Sequence, residues 1–361
     1  MNRFSGLTTG ERTMLALAVV LTAGAAIAQV AHAPGIVRFV IDGAALASVA
    51  WLVGFSTEVV GTRYGPGVTG VMQSTLGNAP EFFVVLFALA AGQTVIAETA
   101  IFGSIFSNAL LILGLVIIVG ARVAPDGVMR FGRRLPNDTA TLLLMAVFLI
   151  TLLGLSGSAN DRASHHQVAI SAVGAVCLLV VYGAWLHGYL RHDIRTTREA
   201  EGLPHPEAAS VSFRTAIVLL ALAGVAAAFV SDWFVQSINP AVTTLGLPKP
   251  FVGLVIVALA SNAVENVVGI RLAAKHKNEL ALSIIKNSIA QIAVFLYPLL
   301  VLISLTFSTH LTFAVSGILI GGLALTAIAV WQITGDGEAA AFEGWALVGL
   351  YVILATLFFF E

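Results

Sequence analysis

Stretches of about 20 apolar residues recur along the chain from near its start to Phe360, each long enough to cross a hydrocarbon core as a helix. Eleven can be drawn, at approximately 13–31, 37–61, 64–91, 94–120, 138–156, 167–189, 213–235, 250–273, 278–305, 310–332 and 343–360. Hydrocarbon offers backbone groups no hydrogen-bond partner, so only helices and closed barrels span it. These runs are continuous and do not alternate in polarity with period two, which disfavours a barrel. Composition agrees, because 58% hydrophobic and 10% charged residues could not cover a water-soluble protein of 361 residues. The expected fold is all-α: a polytopic membrane protein of about 11 transmembrane helices, with membrane lipid as its solvent.

The formal net charge of -1 gives no reason to invoke nucleic acid. The single cysteine, Cys177, excludes an intramolecular disulfide framework and reads as a small core residue of an apolar helix. The first apolar run follows Arg3, Glu11 and Arg12 but closes on no convincing cleavage site, so it reads as helix 1 and not as a signal peptide. Lysine and arginine accumulate on the cytoplasmic side of membrane proteins. Fourteen lie on the N-terminal side of the expected spans, three (Arg38, Arg162 and Lys249) on the other, and Lys286 inside a span. This predicts a cytoplasmic N-terminus and, with an odd helix count, a C-terminus outside.

Two segments share a pattern at a constant offset of 184 residues. The first reads Leu76-Gly77-Asn78-Ala79-Pro80-Glu81 and continues to Gly103-Ser104-Ile105-Phe106-Ser107-Asn108; the second reads Ala260-Ser261-Asn262-Ala263-Val264-Glu265 and continues to Asn287-Ser288-Ile289-Ala290-Gln291-Ile292. Polar residues matched amid apolar sequence mark an internal repeat. Five expected helices separate the copies, so the second should be inverted, as in secondary transporters that bind substrate near the midplane. The expected organisation is an N-terminal segment with helix 1 (1–36), a first five-helix repeat (37–190), a cytoplasmic linker (191–212) and a second five-helix repeat (213–361). Gly202, Pro204, Pro206 and the local charges mark the linker.

Glu81 and Glu265 fall about 22–26 Å along their expected helices, beyond easy reach of water. A carboxylate there is costly unless protonated, paired or bound to a cation, and a structural glutamate bonded to a neighbouring helix is the plainer alternative. Helical spacing predicts that Asn78 shares a face with Glu81, that Asn262 and Ser261 share one with Glu265, and that Ser104, Ser107 and Asn108 share one on helix 4. Helix 9 adds Ser288 and Gln291. This set holds carboxylate, amide and hydroxyl oxygens without cysteine or histidine, which suits calcium, manganese or magnesium over zinc or copper. Protons would compete with the metal for the same carboxylate oxygens, which is the chemistry of exchange. Gly77, Gly103, Ala79 and Ala263 would let helices approach closely or unwind to expose carbonyls, or serve packing alone.

Together with Thr57-Glu58 and Gly65-Pro66-Gly67, these two motifs resemble the paired α-repeats of the calcium/cation antiporter superfamily, most closely its calcium/proton exchanger branch. The resemblance implies a ten-helix inverted-repeat core preceded by one extra helix, with Glu81 and Glu265 as central ligands. It also suggests cation entry or proton access for Glu58 and Asp232, where a water-facing helix end is the alternative. Asn266 stands where that branch usually has histidine, and Ser261 where it usually has glycine. Lys286, inside helix 9 but on a different face from Ser288, could snorkel, pair with an acid, or stand in for a transported cation. Glu98 reads as a favourable charge at the start of helix 4, and His187, His276 and His310 as residues at span ends. No HExxH, G-x-S-x-G or phosphate-binding glycine loop is present, which counts against an intramembrane protease or an ATP-driven pump, and no enzyme activity is expected. The expected function is secondary antiport of calcium, or a related divalent cation, against protons in a bacterial inner membrane, with transported ions and no cofactor. A sodium-coupled exchanger and an uncoupled channel or sensor are the alternatives on the same fold.

Overall fold

The computed structural model describes residues 7–61, 72, 75–199 and 211–361, with the backbone alone at 134–135, 190–199 and 264–265. Its helices are α1 (Thr9–Val30), α2 (Gly35–Gly61), α3 (Ala79–Ala90), α4 (Thr94–Val123), α5 (Arg134–Ala159), α6 (Gln167–Glu199), α7 (Phe213–Leu245), α8 (Lys249–Ser261), α9 (Ala263–Ala274), α10 (Asn278–Ser304), α11 (Gly317–Thr334) and α12 (Ala341–Phe359). Among the described residues nine helices are long and apolar enough to cross a membrane, and the α8–α9 pair makes a tenth if taken as one bent span. The third expected span is described only in part, and Gly65-Pro66-Gly67 lies outside the described residues.

Local chemistry sets several helix ends. Thr8 Oγ1 accepts the Glu11 N–H at 3.3 Å while Glu11 Oε2 accepts the Thr8 N–H at 2.7 Å, a capping box that starts α1 four residues before its apolar run. Ser212 caps α7 by accepting from Thr215 N at 3.2 Å. Helix α6 runs on to Glu199, into the segment expected as linker, and α7 continues ten residues past its expected end. At 33 residues α7 is about 50 Å long, longer than a hydrocarbon core is thick.

The tenth expected span begins at Gly317 and not at 310. The non-helical backbone before it buries Leu311, Phe313 and Val315 and is tied down: Tyr297 Oη donates to Thr312 O at 2.6 Å, and Ser171 Oγ accepts Phe313 N–H at 3.0 Å. Irregular backbone of this kind is tolerated at membrane depth where protein supplies its partners.

Two compact units emerge, each drawing on both halves of the sequence. One comprises Met1–Phe87, Gly183–Gly246 and Ala260–Val264. In it α2 lies along α7 and α1 packs on α2. Gly35 sits against the Pro240 ring, where a side chain would collide, and Phe39 stacks on Phe234 with ring centroids 5.2 Å apart. The other comprises Ala88–Tyr182, Leu247–Leu259 and Glu265–Glu361. There α4 meets α8 through two glycines: a Cβ on Gly103 would enter the Leu254 backbone, and one on Gly253 would enter the Thr99 side chain. Small residues thus let these backbones approach closely, as expected for Gly103.

Outside the helices, strands β1 (Val128–Arg130) and β2 (Glu338–Ala340) pair antiparallel. Arg130 bonds Asp126 at 2.6 Å and holds its carboxyl below the usual carboxylate range. Cys177 corrects the expectation of a core residue. It is exposed, on the side of α6 that also exposes Val173, Val176 and Val180, a surface suited to lipid.

Candidate functional site

Both repeat motifs break their helix at the asparagine. Residues 75–77 are helical, Asn78 is a turn, and α3 starts at Ala79; in the second copy α8 ends at Ser261, Asn262 is a turn, and α9 starts at Ala263. At the second break the axis bends by 58°. Asn78 thus stands just before α3 and accepts the Phe82 N–H at its carbonyl, at 2.9 Å, in the same first turn as Glu81. Glu81 and Glu265 are each the third residue of the new helix. That first turn carries the positive end of the helix dipole, which favours an ionised carboxylate.

A second irregularity also repeats. Helix α4 passes through a π-helical segment at Ser107–Ile112, α10 through one at Ile292–Leu296, and the two coincide at the 184-residue offset to within a residue. Extra π turns leave carbonyls and side chains out of the ordinary helical register and cluster at functional sites. A third π segment, Val252–Val257, precedes the α8 break.

In the first unit Asn78, Glu81, Ser261 and Asn262 are all buried, Glu81 at 1% exposure. Asn262 Nδ2 donates to Ser261 Oγ at 3.3 Å, and Asn78 Oδ1 has no hydrogen-bond partner among the described residues. The Pro80 carbonyl, beside Glu81, accepts from Ser231 Oγ of α7 at 3.3 Å. Ser231 carries no motif, and only its place before Asp232 could have drawn attention to it. Asp232 itself is half-buried and accepts from Gln236 Nε2 at 2.8 Å, while Glu58 is exposed on α2.

In the second unit Ser104, Ser107, Asn108, Ser288 and Gln291 are buried. Asn108 Nδ2 donates to Ser288 Oγ at 3.1 Å, joining α4 to α10. Ser107 Oγ donates to Ser104 O at 3.2 Å. Asn108 Oδ1 and Gln291 Oε1 are buried and lack a donor among the described residues. So is Asn287 Oδ1, a residue sequence reasoning passed over despite its place between Lys286 and Ser288. Buried carbonyl oxygens without donors are costly unless a cation or water completes them, and hard oxygen ligands of this type suit a divalent cation. The side chain of Glu265 lies outside the described residues.

Lys286 is buried to 1% exposure, and its Nζ donates to Thr334 Oγ1 at 2.7 Å. It neither snorkels to the surface nor forms an ion pair among the described residues. Thr334 lies on α11, and no spacing in the sequence connects the two. Glu98 is corrected as well: it lies in the second turn of α4, beyond the N-terminal turn, and near Tyr297.

These features define a polytopic membrane protein whose helices break or bulge at oxygen-bearing residues in two matched places. The family model described as "Sodium/calcium exchanger protein" matches residues 14–188 and 215–360, and the chain belongs to this family. It is 28% identical over 336 residues to the Ca(2+)/H(+) antiporter ChaA of Bacillus subtilis, covering 92% of this chain and 95% of that one. It is 30% identical over 333 residues to the vacuolar calcium ion transporter of Schizosaccharomyces pombe, covering 89% and 79%. The solved structure of native YfkE superposes with a TM-score of 0.80 at 25% identity, covering 96% of this chain and 100% of that one.

Proposed function

We propose that this protein is a secondary antiporter that exchanges calcium, or a related divalent cation, for protons. Resemblance to Ca(2+)/H(+) antiporters over nine-tenths of the chain supports the choice of ions. The observation that carries the mechanism is the repeated helix break, which sets Glu81 and Glu265 in the first turn of a helix directly after an asparagine. Ionised, these glutamates neutralise a divalent cation. Protonated, they lose affinity for it and shed the charge that burial penalises. Metal and protons thus alternate on the same oxygens, and neither needs a resident cofactor or a covalent step.

In this reading Asn78, Asn262, Ser104, Ser107, Asn108, Ser288 and Gln291 supply neutral oxygens, and Glu58 and Asp232 lie along the access routes. The basic residues favour a cytoplasmic N-terminus in a cell membrane, with the two repeats inverted. Sodium coupling is the second reading, because the matching family model names sodium. Calcium uptake into everted vesicles under an imposed pH gradient, with and without sodium, separates the two. Uptake driven by the pH gradient alone is the expected result; uptake that requires sodium and ignores pH would replace protons by sodium.

A further inference from the structure

Breaking the helix at Asn78 leaves the turn that carries Glu81 with few backbone ties. Asn78 accepts the Phe82 N–H at 2.9 Å, but Pro80, the second residue of α3, has no N–H to donate back toward the break. A tie comes instead from another helix of the same unit. Ser231 of α7, fully buried, donates its hydroxyl proton to the Pro80 carbonyl at 3.3 Å. Helical serines and threonines ordinarily donate to a carbonyl of their own preceding turn. Those further along α7 do so: Ser237 to Phe234 at 2.7 Å, Thr243 to Asn239 at 2.9 Å and Thr244 to Pro240 at 2.7 Å. Of these hydroxyls, that of Ser231 is the one whose proton crosses to a neighbouring helix.

We infer that Ser231 is a positioning residue for the exchange reaction, holding the Pro80 carbonyl so that the first turn of α3 presents the Glu81 carboxyl to the ions in one orientation. The inference rests on the reading of Glu81 as a group that metal and protons share. Glu81 directly follows Pro80, so rotation of the peptide between them turns the Glu81 backbone with it. At 3.3 Å the bond is long for a hydroxyl donor, and its contribution to the stability of the fold is small. Its effect is on orientation. Metal binding is sensitive to that, because a hard divalent cation needs several oxygens at about 2.3–2.6 Å together.

The test is calcium flux in proteoliposomes over a range of calcium concentrations at a fixed pH gradient, with rates taken per folded protein. Ser231→Ala should raise the calcium KM about threefold to tenfold, the reach of one hydrogen bond, and keep the maximal rate within about twofold. Ser231→Cys, close in size but a weaker donor, should fall between wild type and Ser231→Ala. Ser237→Ala removes a hydroxyl bonded within its own turn and should keep the wild-type KM. A wild-type KM in Ser231→Ala, whatever its maximal rate, would overturn the inference, as would an equal rise in Ser237→Ala. If Ser231→Ala does not fold, Ser231→Cys decides by the same criterion. Glu81→Gln separates this inference from the reading beneath it. Transport lost in Glu81→Gln with a wild-type KM in Ser231→Ala overturns the role of Ser231 alone, whereas near-normal flux in Glu81→Gln overturns the role of Glu81 and this inference with it.

Discussion

Asn108 Nδ2 lies 3.1 Å from Ser288 Oγ, a bond between two buried residues that come from the two repeated segments 180 positions apart. Ser288→Ala would leave a buried amide N–H without its acceptor, at a cost of about 1–3 kcal/mol. Thermal unfolding of the purified protein should show a lower midpoint for Ser288→Ala. An unchanged midpoint would mean that water or another group replaces the serine.

Lys286 and Thr334 should behave as a coupled pair. Removing the hydroxyl with Thr334→Val leaves the buried Lys286 Nζ–H without its acceptor and should destabilise the protein by about 1–3 kcal/mol, whereas Lys286→Met removes the group that needs an acceptor. In the Lys286→Met background, Thr334→Val should therefore cost much less. Additive effects in this double-mutant cycle would show that the bond contributes nothing to stability.

The close approach of α4 and α8 predicts asymmetric tolerance of alanine at glycines. Gly103→Ala and Gly253→Ala should each cost about 1–3 kcal/mol, because the new methyl meets the Leu254 backbone or Thr99. Gly183→Ala, which opens onto empty space within a helix, should be neutral or stabilising by up to about 1 kcal/mol. Fluorescence-monitored size-exclusion after heating compares the three, and equal tolerance would contradict the packing described.

Membrane spans were legible in the sequence because an apolar run of about 20 residues has a single physical meaning in a bilayer. Helix ends were not, since hydropathy says nothing of polar extensions such as the end of α6 at Glu199 or of a capping box such as Thr8 with Glu11. The polar residues of the repeats could be picked out by their 184-residue offset. Their geometry could not: breaks at Asn78 and Asn262 and the π turns after Phe106 and Gln291 arise from backbone choices that helical spacing assumes away. Cys177 was misplaced because the two sides of an apolar helix, one toward lipid and one toward protein, look alike in composition. The acceptor of Lys286 lies 48 residues on, in another helix, and no local pattern points to it.

We propose that Glu81 and Glu265 carry both the metal and the protons. This is tested most directly by calcium flux driven by a pH gradient in proteoliposomes containing wild type, Glu81→Gln or Glu265→Gln, each first shown to be folded by size-exclusion. Each substitution keeps the shape of the side chain but removes its charge, so both variants should lose calcium transport, by a hundredfold or more on the order of magnitude set by about 3 kcal/mol of lost binding. Near-normal flux in both would contradict the account and place the cation elsewhere.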